Sequence, residues 1–264
     1  MKRLLMTGAA GNLGKAMRTR IGNLADALRL SDIAPTSDLT DTEEFVACDL
    51  ADASAVDALV RDCDGIVHFG GRSVEDDWQT IRSANIDGCF NIYEAARKHG
   101  IGRIFYASSN HVTGFYRPGE RLDGNTAPRP DSLYGLSKAF GEDLARLYWD
   151  KFGIESVCAR IGSSFPRPTN HRMLSTWLSH DDLGRLIERT FAAKRVGWTV
   201  VYGASANQAG WWDNTPAAHL GWAPQDTAET YRAEVEAAGN PPGPEAPESR
   251  WQGATFAAQS IIER

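Results

Sequence analysis

The sequence holds only four cysteines, Cys48, Cys63, Cys89 and Cys158, and none forms a C-x-x-C pair or sits beside a histidine at ligand spacing. Such a set offers neither a disulfide framework nor a metal site, and buried reduced thiols are expected instead. No apolar run reaches the roughly 20 residues needed to cross a bilayer. The Met1-Lys2-Arg3 start leads into Leu4-Leu5-Met6, too short a segment for a secretory leader. Basic surplus is missing as well: 28 Lys and Arg stand against 34 Asp and Glu, a net charge of −6. Without basic runs, neither nucleic acid nor an anionic membrane surface is an expected partner. There is no internal repeat, and the expected location is the cytoplasm.

What the chain does have is alternation. Short apolar runs at Arg3–Thr7, Ala27–Ser31, Glu44–Cys48, Gly65–Phe69, Arg103–Ala107, Glu155–Arg160 and Thr199–Tyr202 read as strands. Between them, Asn12–Leu24, Ser54–Arg61, Ile86–His99, Asp131–Phe152 and His180–Ala193 read as helices, with Ile86, Phe90, Ile92, Tyr93 and Ala96 at helical spacing. This pattern predicts an α/β fold: a Rossmann-type doubly wound parallel sheet of about seven strands, helices on both faces and right-handed crossovers. A single domain over 1–264 is expected. Residues 1–166 would form mainly the cofactor-binding core, and 167–264 mainly a small substrate lobe interleaved with the last core strand. Asn240–Glu248 is proline-rich and reads as a surface loop.

The first strand runs into Gly8-x-x-Gly11-x-x-Gly14, with Asn12 and Leu13 inside the turn. Three glycines at a strand-to-helix turn allow backbone to approach a pyrophosphate and allow the helix to pack on the strand. Asp32 ends the second strand about twenty residues later, where a carboxylate accepts from both adenine-ribose hydroxyls and repels a 2′-phosphate. No Arg follows it, which favours NAD over NADP. Asp49 and Leu50 follow the third strand, where Asp49 is suited either to the adenine edge or to a helix-cap or turn role. Gly70-Gly71 after the fourth strand lets backbone lie against a cofactor.

The chemistry-bearing residues come next. Ser109 follows the fifth strand, and Tyr134 and Lys138 stand at i and i+4 on a helix twenty-five residues further on. An ammonium near a phenol, together with a positive nicotinamide ring, favours the phenolate. Tyr134 then suits the role of general base toward a substrate hydroxyl, with Ser109 holding the same oxygen and Lys138 gripping the nicotinamide ribose. Ligands of such sheets bind beyond the carboxyl ends of the strands, where all these motifs fall. Arg167, His171 and Arg172 are the cations after the sixth strand. The pattern allows Arg172 a surface ion pair as readily as a carboxylate ligand role. It likewise leaves His111 either structural or chemical, and gives the tryptophans at 211, 212 and 222 core packing in preference to sugar stacking.

With these residues in view, the chain resembles the extended short-chain dehydrogenase/reductase superfamily over essentially its whole length. Within it the chain is similar to the bacterial NAD-dependent uronate dehydrogenases. The closer likeness is carried by Ser108-Ser109-Asn110-His111, Tyr134-Gly135-Leu136-Ser137-Lys138, Arg160-Ile161-Gly162-Ser163, Arg172-Met173-Leu174-Ser175-Thr176-Trp177 and Ser179-His180-Asp181-Asp182. Gly203–Asn207, Gly210-Trp211-Trp212-Asp213 and Gly253-Ala254-Thr255-Phe256 extend it to the C-terminus. The resemblance implies oxidation of the anomeric carbon of D-galacturonate or D-glucuronate to an aldaro-lactone, with NAD reduced. It implies Tyr134 as base, Lys138 as its partner and cofactor ligand, and Ser109 as substrate ligand. Ser73, Asn110, His111 and Ser163 map onto sugar-binding positions, and Arg172 onto the carboxylate ligand. Ser164 joins the expected cofactor contacts. A nucleotide-sugar epimerase of the same superfamily shares Ser, Tyr and Lys, but needs room for a nucleotide handle. A non-catalytic dinucleotide sensor would lack the Tyr–Lys pair. The two long helices after the fourth and fifth strands offer a homo-oligomer interface unless their apolar residues all face the sheet.

Overall fold

The computed structural model describes residues 1–262, so the last two residues of the expected C-terminal lobe lie outside it. Seven strands, β1 (Arg3–Thr7), β2 (Ala27–Asp32), β3 (Glu43–Ala47), β4 (Gly65–His68), β5 (Arg103–Ser109), β6 (Glu155–Ile161) and β7 (Trp198–Gly203), form one sheet. Its order is β7-β6-β5-β4-β1-β2-β3 and every pairing is parallel. The order reverses between β1 and β4, the switch point at which doubly wound sheets open a crevice.

Alternation along each strand feeds two cores. Leu4, Met6, Leu28, Leu30, Val67, Phe105, Val157 and Ala159 face one side, packed on α1 (Asn12–Arg18) and α5 (His180–Ala192). Leu5, Ile66, Ile104, Tyr106 and Cys158 face the other, against α2 (Ala53–Val60), α3 (Gly88–His99) and α4 (Leu133–Phe152). Helix starts are set by side-chain caps: Asp52 accepts from Ser54 and Ala55 N–H, Ser132 from Gly135 N–H, and Ser179 from Asp182 N–H. All four cysteines are free and buried, and burial pushes the Cys48 and Cys63 thiols up to about 11.

The expected elements are present, with shifted ends. Helix α1 stops at Arg18 rather than at Leu24; Gly22 and Asn23 are poor helix formers, and Ile21 and Leu24 reach the core from turns instead. Strand β5 continues two residues past Ala107 and takes Ser108 and Ser109 into the sheet. Helix α4 begins at Leu133, not Asp131, because Ser132 is its cap and Asp131 is engaged elsewhere. Ahead of α3, Trp78–Ile81 is already helical and Arg82–Asp87 is a π-helical turn, a device common at functional sites. Phe90, expected on a buried stripe, is exposed, as are Leu136, Leu147 and Phe152 on α4, so the apolar residues of these helices do not all face the sheet. Within 240–248, helix begins at Pro247.

Two short parallel strand pairs with no sequence signal join the segment after residue 167 to the earlier chain, Leu122–Asp123 with Trp212–Asp213, and Ser163–Ser164 with Trp177–Leu178. The tryptophans pack: Trp212 stacks on Tyr202 at 4.8 Å, and Trp222 lies against the core. The buried Asp182 carboxylate ties Ser205, Gln225 and Asp226 to α5, accepting from Gln225 N–H (2.7 Å), Asp226 N–H (3.0 Å) and the Ser205 hydroxyl (2.6 Å). No helix among the described residues is long and apolar enough to cross a membrane.

One strand in from the β7 edge of the sheet, Arg160 of β6 pairs with Glu142 of α4, both side chains 3% exposed. Arg160 donates through Nη2 (2.8 Å) and Nε (3.0 Å), and Ser108 Oγ donates to the same carboxylate at 2.5 Å. Burial opposes the Arg160 charge, but its hydrogen bond and attraction to Glu142 raise the guanidinium pKa above its ordinary value. Removing one member leaves the other charge buried alone. Glu142→Ala is therefore expected to destabilise the fold by about 3–5 kcal/mol in urea unfolding followed by circular dichroism.

Candidate active site

Every residue given a catalytic, substrate or cofactor role in the sequence analysis lines one cleft of about 1230 Å³ at the carboxyl ends of the strands. At its cofactor end the chain turns through Gly8 at φ +71°, and a Cβ on Gly14 would lie 2.2 Å from the Gly8 carbonyl oxygen. Side chains are thus excluded where a phosphate must approach. Asp32 is held by Ala10 N–H on Oδ2 (3.0 Å) and by Ala34 N–H on Oδ1 (3.2 Å), which fixes its carboxylate at the rim. Asp49 makes an Asx turn to Ala51 N–H, while the cap of α2 falls to Asp52, so Asp49 and Leu50 line the cleft beside the cradle. The Ser31 and Ser164 hydroxyls are buried without a hydrogen-bond partner among the described residues, and both residues line the same cleft. Glycine cradle, ribose-type carboxylate and two orphaned hydroxyls together fit a bound dinucleotide.

One buried device behind the cradle had no sequence signal. Thr7 Oγ1 accepts from Gly70 N–H (3.1 Å) and meets His68 Nδ1 at 2.7 Å. Burial, reinforced by the Lys138 charge, pulls His68 down to about 3, so the ring is held neutral.

At the opposite end, Tyr134 and Lys138 lie one turn apart on α4, with Lys138 Nζ 5.7 Å from the Tyr134 ring centre. The ammonium donates to the Ala107 carbonyl at 2.8 Å, at the end of β5. In the free protein burial governs both groups. It pushes Tyr134 up to about 12, against the hydrogen bond from Ser109, and pulls Lys138 down to about 8. Ser109 also caps the following turn by accepting from His111 N–H (3.2 Å). His111 Nδ1 meets Asp131 Oδ2 at 2.8 Å, and the ring stacks on Phe256 at 4.0 Å. The imidazole is therefore fixed by one nitrogen. Asp131 reads in sequence as the first residue of the Asp131–Phe152 helix, and nothing there points to this pairing.

The cations separate cleanly. Arg167 pairs with Glu234 on the surface and His171 meets the Gly239 carbonyl, and neither lines the cleft. Arg172 does line it. It donates to the Gln252 carbonyl through Nε (3.0 Å) and Nη2 (2.6 Å), and to Ser163 Oγ through Nη1 (3.1 Å). The Asn110 amide, oriented to donate to the Ile161 carbonyl, accepts from Nη2 at 2.9 Å. Among the described residues Arg172 has no ion-pair partner, and burial draws its pKa down to about 10. A cation held by neutral groups in a cleft calls for an anion.

Glu75 is a further residue that sequence reasoning passed over. Its carboxylate accepts from Leu133 N–H (3.1 Å) and Tyr134 N–H (2.8 Å), clamping the loop that carries Ser73 to the first turn of α4.

Residues 4–189 match the model of the NAD dependent epimerase/dehydratase family. The chain is 56% identical to the uronate dehydrogenase of Pseudomonas putida over 97% of this chain and 95% of that one. A structure of uronate dehydrogenase from Agrobacterium tumefaciens, a mutant complexed with NAD, matches with a TM-score of 0.98 at 53% identity, covering 100% of both chains. The glucuronic acid dehydrogenase of Chromohalobacter salexigens matches at 0.97 and 54%, covering 98% of each. From a glycine cradle on β1 to the end of α5 the likeness is continuous, and the chain belongs to the NAD dependent epimerase/dehydratase family.

Proposed function

We propose that this protein is an NAD-dependent uronate dehydrogenase, oxidising the anomeric carbon of D-glucuronate or D-galacturonate to the aldaro-lactone. The observation that carries the substrate reading is Arg172, a half-buried arginine in the cleft whose hydrogen-bond partners are all neutral. The relatives named above act on the same class of sugar acid, over the whole of this chain.

When bound, NAD supplies the acceptor for the hydride that leaves C1. The residues around the cleft do the rest. Tyr134 Oη takes the proton of the anomeric hydroxyl, and Ser109 Oγ holds that oxygen in line. Lys138, held on the Ala107 carbonyl, favours the phenolate with its charge and reaches toward the nicotinamide ribose. Ser73, Asn110, His111 and Ser163 are assigned to the sugar hydroxyls and Arg172 to the carboxylate. Gly8, Gly11, Asn12, Leu13, Gly14, Asp32, Asp49, Leu50, Gly70, Gly71 and Ser164 are assigned to the dinucleotide, with Asp32 selecting NAD. On this reading residues 1–166 serve mainly the cofactor and 167–264 mainly the sugar. The free buried thiols suit the reducing cytoplasm. The exposed apolar residues of α3 and α4 give self-association a surface.

The substrate reading is tested by NADH formation with each uronate and the matching neutral hexose. Turnover is expected with the acids alone, and Arg172→Ala is expected to raise the uronate KM roughly a hundredfold while NAD binding holds. Equal turnover of the hexoses would remove the carboxylate from the account.

Tyr134→Phe should lower kcat by about 10²–10⁴ with the NAD Kd unchanged in fluorescence titration. The base works only as phenolate, so kcat/KM should climb with pH toward the ionisation of Tyr134. Lys138→Met withdraws the neighbouring charge and should move that rising limb to higher pH in a pH–rate profile.

A further inference from the structure

Arg172 is held mainly by one backbone carbonyl, and the structure shows what holds that carbonyl. Of the five guanidinium N–H groups, Nε–H and one on Nη2 meet Gln252 O, the other on Nη2 meets Asn110, and one on Nη1 meets Ser163. Four are committed to neutral oxygens, which orient the group without cancelling its charge. The remaining Nη1 hydrogen is left for a ligand.

A carbonyl is only as well placed as its chain. The Gln252 side chain is 1% exposed, and its hydrogen bonds run to parts of the chain more than thirty residues away. Nε2 donates to the Arg117 and Glu120 carbonyls, each at 3.0 Å, and Oε1 accepts from Trp212 Nε1 at 2.8 Å. Its own N–H donates to the Tyr116 carbonyl at 2.8 Å. The next residue is equally constrained. Gly253 N–H donates to the Gly114 carbonyl, and a Cβ there would lie 1.6 Å from Asp131 Oδ2. Ala254 then turns through φ +56°, a costly conformation for a residue with a side chain. Two residues on, Phe256 seats on His111.

We infer that Gln252 is a positioning residue for carboxylate recognition: its buried amide fixes the C-terminal segment so that its carbonyl aims Arg172 into the cleft. The inference rests on the uronate reading above. It assigns the lobe a specificity role that belongs to no group touching the substrate. Gln252→Leu keeps the bulk and removes all three side-chain hydrogen bonds. Trp212→Phe removes one of them and leaves the residue in place.

The test is a double-mutant cycle on purified full-length protein, reading kcat and KM for D-glucuronate and the Kd for NAD in Gln252→Leu, Trp212→Phe, Arg172→Ala and the Gln252→Leu/Arg172→Ala pair. The uronate KM is expected to rise about tenfold in Gln252→Leu and by a smaller factor in Trp212→Phe, with kcat and NAD Kd within about twofold. In the Arg172→Ala background, Gln252→Leu should add less than about twofold. The same factor in both backgrounds, or a parallel loss of kcat and NAD binding, would overturn the inference while leaving the uronate reading intact. An unchanged KM in Arg172→Ala would instead remove the reading on which it rests. If Gln252→Leu does not fold, Trp212→Phe with and without Arg172→Ala decides by the same criterion.

Discussion

The buried Arg160–Glu142 pair is the constraint on which the site's geometry depends. Glu142 stands one helical turn beyond Lys138 and two beyond Tyr134, on the same face of α4. Its carboxylate takes Arg160 from β6 and Ser108 from β5. One side chain therefore registers the helix of the proposed base against the strand that ends in Ser109 and the strand that leads to Ser163. Arg160 also reaches Tyr202 of β7 at 3.2 Å, so four elements meet at one guanidinium–carboxylate contact. Charges this deep are costly unless they are paired and hydrogen-bonded, and here each nitrogen of Arg160 and each oxygen of Glu142 has a partner.

The same economy of charge governs selection. An acidic protein repels an acid at long range, so discrimination must come from a local, desolvated cation. Arg172 is proposed for that role because its hydrogen-bond partners are carbonyl, hydroxyl and amide oxygens, with the carboxylates of Asp131 and Glu248 acting on it only through space. Arg167, five residues earlier, is spent on Glu234 at the surface.

The fold and the cofactor end were legible because they follow local rules. Strand alternation gave seven strands in the observed parallel sheet, and the glycine spacing marked the cradle. Tyr134 and Lys138 were legible through helical spacing, and Ser109 through its place at a strand end. What escaped was long-range pairing. Asp131 and His111, Glu75 and Tyr134, and Gln252 and Arg172 are separated by 20, 59 and 80 residues, and no periodicity encodes such contacts. Arg172 itself was undecided in sequence, since an exposed ion pair and a cleft-facing ligand read alike; its place in the cleft and its neutral hydrogen-bond partners favour the second. The end of α1 was missed because Ile21 and Leu24 keep helical spacing while reaching the core from turns.

The central claim is that hydride leaves C1 of a uronate and is kept by the cofactor. Its most direct test is turnover of D-glucuronate deuterated at C1 with NAD, followed by mass analysis of both products. The account predicts one deuterium in each reduced cofactor and none in the lactone. Unlabelled reduced cofactor, or deuterium retained at C1 of a sugar that is never oxidised, would contradict it.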